Sequence, residues 1–293
     1  MILLNKYLFL ISLLLANLSF SQDYLQEQLE LSKKLYTEEK YFDAITEFKR
    51  LKFFDTNNTY GSLSHEYIAQ SYKHGGKFNE AIQYFTLAEI NAKNPEDIYR
   101  IKIEIIRVNI LRRTTGNTLK LLDDLDKDER CLPAGLPDDE AGKVGSDKND
   151  EINYWRGWAY IFADEWDKAT EEFSKISPDH ELKILCEETH EKKYSVTFAK
   201  VASVILPGAG QFYTGNYLSG LLSLSWCALW GYIAVDAFVE ERIFDGLAVT
   251  NFLWFRFYQG NLQNAEKFAV EKNIQIANES FYYLQHSYTG IKP

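Results

Sequence analysis

Cysteine is scarce in this chain: its 293 residues include three, Cys131, Cys186 and Cys227. Thiols so few and so scattered build neither a disulfide framework nor a thiolate metal cluster. Export of the chain would permit a bridge from Cys131 to Cys186 with Cys227 left over, but buried or idle thiols are the expected reading. Short signatures of chemistry are missing too. There is no CxxC, GxSxG or HExxH, no GxxxxGK[ST] phosphate loop, and "GAGQFYTG" lacks the third glycine of a dinucleotide turn. His180, Cys186 and His190 do not share a helix face, which argues against zinc. Asp147, Asn149 and Glu151 alternate like calcium ligands, but Ile152 stands where an EF-type loop needs glycine. These absences predict no enzyme, no cofactor and no metal site. A clustered basic footprint is also lacking, with 32 basic against 42 acidic residues and a formal charge of −10, so nucleic acid is not an expected partner.

What is present suffices for a core: 46% of the residues are hydrophobic, enough for one large or two modest domains. The N-terminus has the layout of a secretory signal, with Lys6 before the apolar "YLFLISLLLANL" and Ser19 and Ser21 as the small residues ahead of Gln22. An uncleaved anchor is the alternative, but the apolar stretch is shorter than the roughly 20 residues of a span. The expected leader is residues 1–21.

From Asp23 to about Asp179 the apolar period is helical and one pattern recurs. "YFDAITEFKRL" sets Ala44, Phe48 and Leu51 on one face; "KFNEAIQYFTLAE" does the same with Ala81, Phe85 and Ala88, and "EWDKATEEFSKI" with Ala169, Phe173 and Ile176. Alanine lets two helix backbones approach, and the ring four residues later fills the space beside it. Partner helices precede these at a fixed offset, Tyr72 before Ala81 as Tyr160 before Ala169, with Gly157 three residues ahead of the latter tyrosine. A weaker unit, with Gly116 in the turn and Thr118, Leu122 and Leu125 in the frame, fits between them, giving four helix pairs. These residues resemble tetratricopeptide repeats, whose period is about 34 residues. The resemblance implies a groove lined by the first helix of each pair, placing there Lys33 and Tyr36, Gln70 and Lys73, and Tyr154 and Trp158. Such grooves take a protein or peptide segment. The repeat domain is expected over 22–193, with a flexible insertion at about 127–150, rich in Asp, Gly and Pro.

Between Val201 and Val235 no residue is charged. One helix of that length would measure about 50 Å, against the roughly 30 Å of bilayer hydrocarbon, so the stretch must break. "LPGAG" is the expected break: Pro207 has no amide donor, and Gly208 and Gly210 tolerate turn dihedrals. Tyr217 to Val239 is long enough to span, while Ile243 to Tyr258 is shorter and carries Asp245 and Arg256 near its ends. The two read as a membrane hairpin with "EERIFDG" at its tip; Tyr194 to Leu206 suits an interfacial or re-entrant helix. "PGAGQFYTGNYLSG" resembles the Pro-Gly-x-Gly-Gln-x-Tyr-x-Gly segment of a small hydrophobic domain in bacterial envelope proteins, several of which carry tetratricopeptide repeats ahead of it. Pro207, Gly208, Gly210, Gln211, Tyr213 and Gly215 match, with Tyr258, Gly260, Asn261 and Ala265 in register downstream. The resemblance implies a membrane-embedded helical domain over 194–273, followed by a tail at 274–293.

The expected class is therefore all-α, a tetratricopeptide-like helical-hairpin solenoid followed by a membrane-embedded helical hairpin. The expected role is a scaffold in the bacterial envelope that binds protein or peptide partners, anchored in the lipid bilayer of the inner membrane with its repeats in the periplasm. Two alternatives stand beside it: an accessory of membrane transport or insertion that uses the broken helix at Pro207, and a soluble exported adaptor that buries the apolar run internally.

Overall fold

The computed structural model describes residues 24–128 and 138–293, and side chains in the second stretch from residue 147 onward. The expected leader and Cys131 lie outside the described residues. Among the described residues every regular element is helical. The chain divides into two compact units, one containing everything up to His180 together with Lys292 and Pro293, the other running from Glu181 to Ile291.

The first unit is built from helix pairs. Its elements are α1 (24–37), α2 (Tyr41–Phe54), α3 (Gly61–His74), α4 (Phe78–Asn91), α5 (Pro95–Leu111), α6 (Thr115–Asp126), α7 (Asp138–Phe162) and α8 (Trp166–Ile176). Each helix packs against the next in sequence, as short connections require. The alanine and aromatic frame is the core: Ala44, Phe48, Leu51, Ala81, Phe85, Ala88, Ala169 and Phe173 are all fully buried. Burial of each of the three phenylalanine rings contributes about 1.5–3 kcal/mol. Gly157 on α7 lies directly against the Phe173 ring, in space that a Cβ would need.

One backbone device closes all four pairs. Glu39, Gly76, Arg113 and Asp164 have φ of 59°, 70°, 57° and 65°. Each precedes the framing small residue by the same interval, ahead of Ala44, Ala81, Thr118 and Ala169. The next amide in each turn reaches back to close the preceding helix: Lys40 to Leu35, Lys77 to Tyr72, Thr114 to Asn109 and Glu165 to Tyr160, at 2.9–3.1 Å. This is the left-handed helix ending that satisfies otherwise orphaned carbonyls. Four identical endings in one frame show the repeat in the backbone even where the third pair's side chains have diverged.

The expected insertion at about 127–150 is only partly a loop region. Residues 129–137 lie outside the described residues, but α7 already begins at Asp138 and is 25 residues long. Propagating a helix costs far less than nucleating one, so the well-packed segment from Ile152 to Phe162 supports polar turns ahead of it.

The second unit contains α9 (Glu181–Lys192), α10 (Val196–Ile205), α11 (Ala209–Tyr213), α12 (Tyr217–Val239), α13 (Ile243–Val249), a π-helical turn (Thr250–Trp254) and α14 (Phe255–His286). Helix α9 is bound to α14: Thr189 and Ser280 hydroxyls lie 2.7 Å apart, and Tyr283 donates to Glu181 at 2.6 Å. The apolar run does break at Pro207. Leu206, held extended by the proline that follows, ends α10, and Gly208 turns the chain with φ 93°. At the far end of α12, Glu241 (φ 61°) starts the return, and Arg242 pairs with Asp236, Glu240 and Asp245. The returning arm does not stop at Tyr258. It continues past residue 273 to His286, because Ala265, Ala269, Ala277, Ser280 and Leu284 form a buried helical stripe, and the chain is non-helical from Ser287.

Candidate functional site

The groove residues named from the sequence sit on the first helices of successive pairs, α1, α3 and α7. Tyr36 is half-buried in an aromatic cluster, edge-on to Tyr67 and Tyr41, with its hydroxyl 3.3 Å from His74 Nε2; Tyr41 stacks on His74. Burial, then the neighbouring Tyr41 and Tyr67, raises the Tyr36 hydroxyl above its ordinary value. Lys33 reaches only Glu30 of its own helix, at 3.9 Å.

Gln70 and Lys73 are brought together by a residue the sequence analysis did not single out. Both donate to Glu104 Oε2 on α5, each at 3.1 Å. Glu104 is 8% exposed, and Arg107 completes an ion-pair cluster by donating to its other oxygen. Burial alone would raise the Glu104 carboxyl, but the charges of Lys73 and Arg107 outweigh it, so the group stays below its ordinary value and ionised. Lys73 is shifted down as well: burial is the largest cause, and the attraction of Glu104 does not fully offset it while Arg107 repels. The Arg107 guanidinium carbon lies 5.2 Å from the Trp155 ring centre on α7, within cation–π range. Tyr154 is edge-on to Trp155 and Phe173.

The stripe therefore runs Tyr36, His74, Lys73, Glu104 and Arg107 across α1, α3 and α5, and ends against the buried Trp155 ring on α7. Trp155 and Trp158 are each 2% exposed and belong to the core, so Trp155 backs the Arg107 guanidinium from within rather than presenting a face to a ligand. The signal for Glu104 was available in "IKIEIIRV", where a carboxylate is embedded among Ile101, Ile105 and Val108 at helical spacing, all buried. Such a stripe offers charged donors and acceptors beside aromatic rings.

In the second unit the Pro207–Gly215 motif forms a closed polar knot. Gln211 is completely buried; its Nε2 donates to Ser223 Oγ at 3.2 Å and to the Asn261 carbonyl at 3.0 Å, and its Oε1 accepts from Ser203 at 3.3 Å. Asn261 Oδ1 accepts the Gly208 amide at 2.7 Å while its Nδ2 donates to the Ser203 carbonyl at 3.0 Å. The Gly210 amide donates to Ser203 Oγ at 2.8 Å. Tyr213 accepts the Ser195 amide at 3.1 Å, and Tyr258 donates to the Val204 carbonyl at 2.9 Å. The amides of Gly208 and Gly210 and the carbonyls of Ser203 and Val204, freed by the helix break, thus find partners within the unit, which is what an apolar surrounding demands. Gly208 and Gly210 have no room for a Cβ, the first against the Gly220 carbonyl and the second against the Ala199 carbonyl and Ala265; Gly215 needs only its φ of 77°.

A cleft of about 400 Å³ between α9 and α14 is lined by Glu181, Glu188, Lys192 and Tyr283, but these pair with one another, Tyr283 with Glu181 and Lys192 with Glu188. Among the described residues no group of three or more His, Cys, Asp or Glu side chains is placed to hold a metal ion. Cys186 is a buried free thiol whose pKa burial pushes up to about 12, which suppresses thiolate chemistry. Comparison with known proteins finds no family model that matches this chain and no curated protein that matches it.

Proposed function

We propose that this protein is a membrane-tethered scaffold of the bacterial envelope, whose repeat unit binds an extended protein or peptide segment along the Tyr36–Arg107 stripe. The tether is α12, returning through α13 and the first turns of α14. The observation that carries this reading is the outward disposition of α12's side chains. Among the described residues it is the one helix long and apolar enough to cross a membrane, yet only 17% of its most apolar window is buried. A core helix of a soluble protein would show the reverse.

The neighbouring elements add to the same greasy surface. Val201, Val204 and Ile205 on α10 are exposed, as are Phe244 on α13 and Phe252 in the π-helical turn. Exposed apolar area of this extent, with Trp226 and Tyr232 among it, needs a cover. The closed hydrogen bonding around Gln211 supports a packing role for the broken helix in preference to a transport pathway. An inner-membrane location with the repeats in the periplasm is part of the proposal, and rests on the leader read in the sequence.

The test is fractionation of the full chain followed by alkaline carbonate extraction, with tryptophan quenching by brominated lipid in vesicles. Retention in the pellet and quenched fluorescence are expected, and Leu222→Arg on α12 is expected to release the protein. A monodisperse preparation in plain buffer would overturn the tether. Loss of partner capture in Lys73→Ala and Tyr36→Ala chains that remain folded tests the groove.

A further inference from the structure

Arg107, at one end of the stripe on the repeat unit, already holds a piece of this chain. Lys292 and Pro293 belong to the repeat unit's compact body, and Arg107 Nη2 donates to the Lys292 main-chain carbonyl at 2.7 Å. After Ser287 the chain is non-helical to its last described residue. Lys292 also precedes a proline, which disfavours helical backbone there and presents an extended segment.

Arg107 is held for this contact from two sides. Glu104 fixes Nη1 and the Trp155 ring lies against the guanidinium, leaving Nη2 as the nitrogen that reads the bound backbone. A fixed guanidinium on a main-chain carbonyl recognises an extended strand with little regard to its side chains. One Nη2 cannot serve two such carbonyls in the same geometry. We infer that Lys292 and Pro293 act as a built-in competitor at Arg107, and that the external ligand of this surface is an extended, proline-containing polypeptide segment that displaces them. The inference rests on the groove reading above and names the kind of segment it takes.

The experiment compares the full chain, a chain lacking residues 287–293, and Arg107→Gln versions of both, all in detergent micelles. The probe is a fluorescein-labelled synthetic peptide, HSYTGIKP, followed by anisotropy. The shortened chain is expected to bind it at least about tenfold more tightly than the full chain, because the resident segment must otherwise be displaced first. Arg107→Gln in the shortened chain is expected to weaken binding about tenfold, the worth of one charge-assisted hydrogen bond. Equal binding by full and shortened chains, or none by a shortened chain that keeps its helicity and melting temperature, overturns the inference. Should the shortened chain fail to fold, hydrogen exchange on the full chain decides: amides of residues 290–292 exchange faster in Arg107→Gln if the contact exists, and unchanged exchange overturns it. If either result overturns this inference while Lys73→Ala and Tyr36→Ala still abolish partner capture, the groove reading survives without the internal competitor.

Discussion

Gln211 Nε2 and the main-chain carbonyl of Asn261 are 3.0 Å apart although the residues are separated by 50 positions in sequence. That bond joins the short helix after the Pro207 break to α14, and the Asn261 side chain returns the connection to Gly208 and Ser203. The broken helix is thus held by reciprocal amides.

Replacing either amide leaves buried partners unsatisfied. Gln211→Leu is expected to lower the stability of the second unit by about 1–3 kcal/mol, and Asn261→Leu by more, since it strands both a backbone donor and a backbone acceptor. Thermal unfolding in detergent, read by near-ultraviolet circular dichroism, checks the order.

The glycines of the motif are expected to separate by cause. Gly210→Ala pushes a methyl into the Ala199 carbonyl and should cost more than about 2 kcal/mol. Gly215→Ala meets nothing within 4 Å and pays only for its positive φ, about 1 kcal/mol. Gly260→Ala is helical and open, so it should stabilise by about 0.5–1 kcal/mol. Parallel melting of the three variants tests this ranking.

Glu39 occupies a left-handed ending that Gly76 fills in the next pair. Glu39→Gly is expected to raise the stability of the repeat unit by about 0.5–1 kcal/mol, because the steric cost of a Cβ at positive φ disappears. Chemical denaturation of the full chain provides the measurement, and a destabilised variant would contradict the reading of the turn.

Acid should destabilise the repeat unit through His65. The ring is 2% exposed with Lys52 Nζ 2.6 Å from its Nε2, and burial followed by the lysine charge lowers its pKa from 6.5 to about 4. A folded-state pKa below the unfolded value means that the neutral ring's contribution is intact above pH 6.5 and is lost as pH falls from there toward 4. The unfolding free energy should decline over that window, and His65→Leu should flatten that part of the decline. An identical pH profile in the variant would exclude His65 as the source.

Glu104 balances two cations, so its removal is expected to reach beyond its own helix. Glu104→Ala leaves Lys73 and Arg107 facing each other in a buried setting and should cost about 3–5 kcal/mol, with Glu104→Gln recovering part of that through the hydrogen bonds it retains. Paired denaturation curves distinguish lost charge from lost hydrogen bonding.

The alanine and aromatic frame was legible because it is local: Ala44 and Phe48 share a face through helix periodicity alone, and their burial follows from any antiparallel partner. Pro207 was legible for the same reason, since a missing donor breaks a helix whatever surrounds it. Trp158 was assigned to the groove and lies in the core because the inward face of α7 depends on how that helix is rotated against α5 and α8. Periodicity fixes which residues share a face, not which neighbour the face meets.

The sequence by itself determined the helical pairs, their frame, and the position of the break in the uncharged run, each through backbone sterics or nearest-turn packing. Tertiary structure alone decided that Glu104 joins Gln70, Lys73 and Arg107, that Asn261 closes the Pro207 motif, and that Lys292 rests on Arg107. Those pairings cross tens of residues or more, and a side chain's partner at such range is set by how whole helices pack, a property that no short stretch of sequence carries.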